Sequence, residues 1–110
     1  MKLIIVIILF AFAAFDSQVS AQQIMIAGIG RRPCSYWTST PATRAEGEKW
    51  ALGFWSALNY VAGVTKTQNQ LIIDPDTMLA EIVKTCGEGS DRSLADAAWI
   101  TFLTLNKSPQ

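Results

Sequence analysis

Two cysteines and several carboxylates are the side chains of this chain with the most evident chemistry, and histidine is absent. Histidine is the commonest general base and the usual partner of a serine or cysteine nucleophile. Its absence therefore argues against the common acid–base and nucleophilic mechanisms. The nine basic and nine acidic residues balance, which argues against nucleic-acid binding and against a polybasic membrane site. We expect a protein that is not an enzyme.

The carboxylates occur in pairs at positions where helices are expected to begin. Glu46 and Glu48 fall in the first turn of one predicted helix, and Asp74 and Asp76 fall at the start of the next. Negative charge at these places complements the helix macrodipole. None of the acidic runs has the spacing of a calcium loop, and two cysteines without histidine do not make a zinc site. We therefore expect neither a metal nor another cofactor.

The N-terminal residues have the layout of a secretory signal peptide. Lys2 precedes an apolar run over residues 3–15, and the small residues Val-Ser-Ala follow at 19–21. A helix over that run reaches about 20 Å, which is short of the roughly 30 Å hydrocarbon core of a bilayer. The layout predicts a signal peptide over residues 1–21, export to the periplasm or outside the cell, and no membrane association after cleavage.

Cys34 and Cys86 both lie beyond the predicted cleavage site. An even number of cysteines in an exported chain favours a disulfide. This bond would close a loop of about 50 residues and stabilise the fold by about 4 kcal/mol, because it restricts the unfolded chain. Two free thiols or a metal-binding pair are the alternatives.

The spacing of apolar residues predicts an all-α domain over residues 33–106. The expected fold is a small bundle of three main helices plus a short N-terminal helix, stapled by one disulfide. The third main helix is expected to begin at Ser90 or Ser93. A flexible arm over residues 22–32 precedes the domain, and a tail over residues 107–110 follows it.

Polar residues predict the ends of the first two main helices. Thr43 and Glu46 have the Thr-x-x-Glu form of a capping box. Gly63 stands where a glycine would end that helix. Asp74 is the expected N-cap of the second main helix, ahead of a proline at its first position.

Residues at three- and four-residue spacings on these helices are the predicted core. They are Trp37, Trp50, Phe54, Leu58, Leu79, Ile82, Val83, Leu94, Ala98 and Phe102. Trp99 is expected to widen the core stripe of the last helix. Gly47 and Gly53 interrupt the first main helix, and we expect both to admit a neighbouring element beside the tryptophans.

Other aromatic and apolar residues are candidates for contact with a protein partner. Trp55 is one position away from the apolar stripe of its helix, and the pattern assigns Tyr36 to no face. The apolar segment Leu71, Ile72 and Ile73 ends a polar loop and is expected to contact the core. We predict that this segment forms a partner-binding surface together with the apolar stripe of the first main helix over residues 50–61.

A sequence of short motifs over residues 33–105 carries a family resemblance. Cys-Ser-Tyr-Trp at 34–37 is followed by Trp-x-x-Gly-Phe-x-Ser-Ala-Leu-Asn at 50–59, by Asp-Pro-Asp at 74–76 and by Glu-Ile-Val-Lys-Thr-Cys at 81–86. An alanine-rich helix completes the pattern. The chain thus resembles the small exported bacterial proteins grouped with the HdeA/HdeB acid-stress chaperones. It is also similar to the Rap1a/Tai-type immunity proteins, which share the exported, helical, single-disulfide plan.

The two resemblances imply different partners. An HdeA-like protein would be a periplasmic holdase, a homodimer near neutral pH that opens in acid and binds unfolding clients. An immunity-type protein would instead bind one dedicated partner, a secreted toxic enzyme, and block it. A helical protein without chaperone activity is the third alternative.

Overall fold

The computed structural model describes residues 24–89 and 91–107. These residues form a 3₁₀ turn, Gly28–Arg31, and four helices: α1 (Cys34–Trp37), α2 (Pro41–Thr65), α3 (Pro75–Gly87) and α4 (Leu94–Lys107). The predicted all-α class is confirmed. The predicted signal peptide and residues 108–110 of the predicted tail lie outside the described residues.

Two links hold the short α1 helix against the later helices. A disulfide joins Cys34 to Cys86 near the end of α3, with the two Cα atoms 5.8 Å apart. The chain before α1 also forms an isolated antiparallel bridge with the chain before α4, in which Cys34 N–H donates to the Arg92 carbonyl at 2.8 Å. The predicted disulfide is therefore confirmed.

Helix α2 begins earlier and ends later than the sequence predicts. Its N-cap is Thr40, whose hydroxyl accepts from the Thr43 N–H at 3.1 Å while the Thr43 hydroxyl accepts from the Thr40 N–H at 3.1 Å. The predicted box of Thr43 and Glu46 is wrong, because Pro41 takes the first helical position and moves Glu46 beyond the first turn. Gly63 does not end the helix, since Lys66 adopts the left-handed conformation, with φ at 55°.

The starts of α3 and α4 agree with the polar signals in the sequence. The Asp74 carboxylate accepts from the Thr77 N–H at 3.1 Å, so it is the N-cap of α3. The Ser93 hydroxyl accepts from the Asp96 N–H at 3.1 Å at the start of α4. Both side chains satisfy backbone donors that have no partner within the helix.

The core lies where α2 and α3 pack against α4. Trp37, Ile82, Leu94 and Phe102 are its largest fully buried side chains, Ala98 is also buried, and Trp50, Phe54, Leu58 and Leu79 are half-buried against it. Val83 was predicted to be core, but it is 41% exposed. The reason is that Met78, Ile82 and Thr85 form the inner face of α3, and Val83 falls one position outside it.

Part of the predicted flexible arm is docked on α2. Ile29 and Gly30 are buried, and the indole ring of Trp50 lies so close to Gly30 that a Cβ atom there would collide with it. The Trp50 indole N–H also donates to the Ala27 carbonyl at 2.9 Å. The expectation of a loose segment is therefore wrong for residues 27–31, because a pattern of helical spacing cannot detect a glycine that packs under an aromatic ring.

Candidate partner-binding cleft

Three of the four tryptophans donate their indole N–H to a backbone carbonyl. Trp37 donates to Arg44 at 3.0 Å, Trp50 to Ala27 at 2.9 Å and Trp55 to Leu71 at 3.2 Å. Each bond joins α2 to a different segment: α1, the N-terminal segment and the loop before α3. These three indole groups therefore stabilise the fold by joining its segments.

Trp99 differs from the other tryptophans. It is 42% exposed, and no acceptor for its indole N–H occurs within residues 24–89 and 91–107. Its ring stacks on Phe102 with the centroids 6.3 Å apart, and Phe102 meets Trp55 edge-on at 5.2 Å. Stacking on Phe102 thus holds one face of the Trp99 ring, while a large part of the side chain stays exposed.

Trp99 lines a cleft of about 510 Å³ between residues 24–26, α2 and α4. Phe54 and Trp99 supply its aromatic walls, and Met25, which is 91% exposed, stands at its edge. Arg31 and Asp96 also line it, so one positive and one negative side chain accompany the apolar surface. This size is typical of sites that bind a small molecule or a short chain segment.

A shallower depression of about 340 Å³ lies on α2 and shares Phe54 with the cleft. It is lined by Lys49, Trp50 and Gly53, and the Trp50 and Phe54 rings stack with centroids 4.9 Å apart. A Cβ atom at Gly53 would meet nothing within 4 Å. The prediction of a close neighbour is therefore wrong for Gly53, although it is confirmed for Gly47, against which the Trp37 indole packs.

The five predicted partner-contact residues do not form one surface. Ile72 is 91% exposed, Tyr36 is exposed with the Arg32 guanidinium 4.1 Å from its ring centroid, and Ile73 is half-buried. Trp55 and Leu71 are buried, so their expected accessibility to a partner is wrong, whereas the expected contact of Leu71 with the core is confirmed. In the folded chain these two side chains are not available to a partner.

Leu71 is buried because its backbone is held on α2. Its N–H donates to the Asn59 side-chain oxygen at 2.8 Å, and its carbonyl accepts from the Asn59 amide at 3.0 Å. Trp55 is buried because the inner face of α2 consists of Gly47, Ala51, Trp55 and Ala62. The small residues on this face permit close approach, whereas the larger Trp50, Phe54 and Leu58 flank it.

Sequence reasoning missed Ile24, Met25 and the accessible position of Trp99. The apolar triplet Ile-Met-Ile at 24–26 was a usable signal, because exposed apolar residues beside a domain often mark an interaction site. Trp99 follows two buried alanines on α4 and is rotated away from their face. That offset was visible in the sequence.

The described part of the chain has few polar side chains in its interior. No group of three or more acidic or cysteine side chains there could hold a metal ion. The buried polar side chains among these residues are Thr85 and Thr101, whose hydroxyls bond each other at 2.7 Å. The cleft thus offers apolar contact, one indole donor and two opposite charges.

Comparison of this chain with protein-family models, with curated protein sequences and with solved structures found no match. The resemblance to the HdeA/HdeB chaperones and to the immunity proteins therefore stays a prediction.

Proposed function

We propose that this protein is an exported protein-binding protein that holds a partner through the cleft while the fold stays intact. Trp99 carries this proposal, because this tryptophan is half-exposed, lines an apolar cleft with Met25 and Phe54, and has no acceptor for its indole N–H among the described residues. Tryptophan is enriched among the residues that dominate binding energy at protein interfaces. Apolar surface of this kind on a small protein often marks an interaction site.

Export is supported by the disulfide, since such bonds persist in oxidising compartments. The predicted signal peptide points in the same direction and implies a periplasmic or secreted protein. No helix within the described residues has the length and apolar character that crossing a bilayer requires.

The apolar composition of the core favours a partner that binds the folded protein. Within residues 24–89 and 91–107, the buried side chains include no acid or base, and the one ion pair, Arg92 with Glu88 at 4.0 Å, joins a half-buried arginine to an exposed glutamate. Acid opens proteins chiefly by protonating carboxylates that the fold has paired or hydrogen-bonded, or by charging buried bases. Besides the ion-paired Glu88, the carboxylate that accepts a hydrogen bond among the described residues is that of Asp74, which is exposed at the start of α3. This arrangement favours a complex that forms near neutral pH, as with an immunity protein that blocks one secreted toxic enzyme.

An acid-stress holdase is the second candidate, and the loop over residues 66–74 favours it. Bonds from Asn59 and Trp55 to Leu71 hold this loop on α2, and Ile72 within it is already exposed. Release of the loop would uncover Leu71 and Trp55 together, which would create apolar surface for unfolding clients. The disulfide would keep such an opened chain partly compact.

Site-specific photo-cross-linking at two positions separates these functions. A photoreactive residue replaces Met25 at the edge of the cleft or, as a matched control, Ser56 on the exposed surface of α2. The proposal predicts one discrete adduct at neutral pH from position 25, its loss on Trp99→Ala, and none from position 56. Many adducts that form only below about pH 3 would indicate the holdase, and an adduct of two identical chains would indicate a homodimer. No adduct from position 25 at any pH would contradict both functions.

A further inference from the structure

We infer that the occupant of the cleft is an extended segment of a partner polypeptide, whose backbone carbonyl accepts a hydrogen bond from the indole N–H of Trp99. The segment carries an apolar side chain flanked by one acidic and one basic residue. This inference rests on the proposed function and specifies the chemistry of the partner.

The molecule already uses this mode of recognition twice within its own fold. The Trp50 indole donates to the carbonyl of Ala27, an extended residue with φ at −89° and ψ at 148°. The Trp55 indole donates to the carbonyl of Leu71, which lies in the loop before α3. In both cases a non-helical segment lies across an aromatic residue of a helix. Trp99 lines an apolar cleft, and its indole N–H has no such acceptor among the described residues.

The charges of the cleft select among extended segments. Arg31 and Asp96 both line it and both are exposed. A segment with residues of only one charge would be repelled by one of these two side chains, whereas a segment with one charge of each sign can pair with both. Phe54 and Met25, which line the same cleft, supply contact for an apolar side chain.

The signals of the indole N–H groups provide a direct test in solution. In the ¹⁵N-labelled oxidised protein each of the four tryptophans gives one indole cross-peak, and Trp99→Phe identifies the peak of Trp99 by removing it. The probes are two acetylated and amidated peptides, Gly-Glu-Ser-Leu-Ser-Lys-Gly and Gly-Lys-Ser-Leu-Ser-Glu-Gly, added up to millimolar concentration. We expect at least one of them to move the Trp99 peak saturably and downfield, while the peaks of Trp37 and Trp55 stay in place.

Two variants separate the hydrogen bond from the apolar contact. Both variants lack the Trp99 indole peak, so their peptide affinities are measured by isothermal titration calorimetry beside the wild type. Trp99→Phe keeps an aromatic ring and removes the N–H, so it should weaken peptide binding by about 3- to 10-fold. Trp99→Ala should abolish measurable binding. Equal affinities of the wild type and Trp99→Phe would overturn the role of the indole N–H.

Charge exchange tests the selection of the segment. Arg31→Glu should weaken the peptide with mixed charges several-fold and should favour Gly-Lys-Ser-Leu-Ser-Lys-Gly, because the cleft would then carry two acids. Lys84→Glu, on the exposed surface of α3, is the control and should change neither affinity.

The failures of the inference and of the proposed function are distinguishable. If no peptide moves the Trp99 peak but the cross-link from position 25 forms, the inference is wrong and the function survives. If dilution of the protein alone moves the Trp99 peak, a second copy occupies the cleft and the inference is wrong.

Discussion

Trp37 and Trp99 are the same type of residue in opposite surroundings, one buried in the core and one half-exposed beside a cleft. Trp37 is 1% exposed, its indole N–H donates to the Arg44 carbonyl, and its ring packs on Gly47 beside the disulfide. Trp99 is 42% exposed and stacks on Phe102, and its N–H has no acceptor among the described residues. Trp37 is enclosed by α2, because Gly47 leaves room for its ring and the Arg44 carbonyl accepts its N–H. No segment encloses Trp99 in this way within the described residues. We therefore expect mutations at Trp37 to change mainly the stability of the fold and mutations at Trp99 to change mainly the binding of a partner.

The largest expected difference is between alanine substitutions at these two tryptophans. Trp37→Ala should lower the free energy of unfolding by about 4 kcal/mol, because it leaves a cavity in the core. Trp99→Ala should cost less than half as much, since its ring is only partly buried. Urea denaturation of the two oxidised variants measures both. Similar losses of unfolding free energy in the two variants would contradict the claim that Trp37 stabilises the fold much more than Trp99 does.

Removal of the disulfide should have the next largest effect, because the bond belongs to the same corner as Trp37. Cys34→Ser with Cys86→Ser should lower the free energy of unfolding by about 4 kcal/mol, through a gain in the entropy of the unfolded chain. Chemical denaturation of the double variant beside the oxidised wild type provides the value. A loss below about 1 kcal/mol would show that the packing of α1 on α2 suffices alone.

The same glycine-to-alanine substitution at two positions of α2 should change the free energy of unfolding in opposite directions. Gly47→Ala places a Cβ atom against the Trp37 indole and should destabilise the fold by about 1–3 kcal/mol. Gly53→Ala meets nothing within 4 Å and should stabilise the helix by about 0.5–1 kcal/mol. Thermal unfolding of both variants in one buffer compares them. If the two shifts share a sign, the close approach of Trp37 to Gly47 is not the decisive contact.

The smallest effect on stability is expected from Trp99→Phe. The change should alter the free energy of unfolding by no more than about 0.5 kcal/mol, as for substitutions on a surface. Trp37→Phe is the matched control and should cost clearly more, because it removes a buried hydrogen bond. Calorimetry of the pair tests this, and a large loss for Trp99→Phe would mean that its N–H stabilises the fold.

Local signals in the sequence predicted much of the fold. The caps Asp74 and Ser93 depend on a side-chain oxygen near the first backbone N–H groups, a relation that short segments reveal. The disulfide followed from the number of cysteines and the predicted export. These features depend little on how the helices pack.

The buried face of α2 could not be predicted in this way. The large residues Trp50 and Phe54 indicated one stripe, but the inner face belongs to Gly47, Ala51 and Trp55. Close approach of α1 to Gly47 decides that rotation, and it is a tertiary property. The apolar triplet at 24–26 and the offset of Trp99 were visible in the sequence, but their assembly into one cleft was not, because Met25 belongs to a segment whose docking depends on Trp50 and Gly30.

The most direct test of the central claim combines binding and stability in one pair of proteins. A photoreactive residue at position 25 is introduced into the wild type and into Trp99→Ala, and adducts are compared at neutral pH together with the urea midpoints. The account predicts a discrete adduct in the wild type, its loss in Trp99→Ala, and a fold that stays intact in both. An adduct that persists in a folded Trp99→Ala protein would contradict the claim that Trp99 is the centre of the binding site.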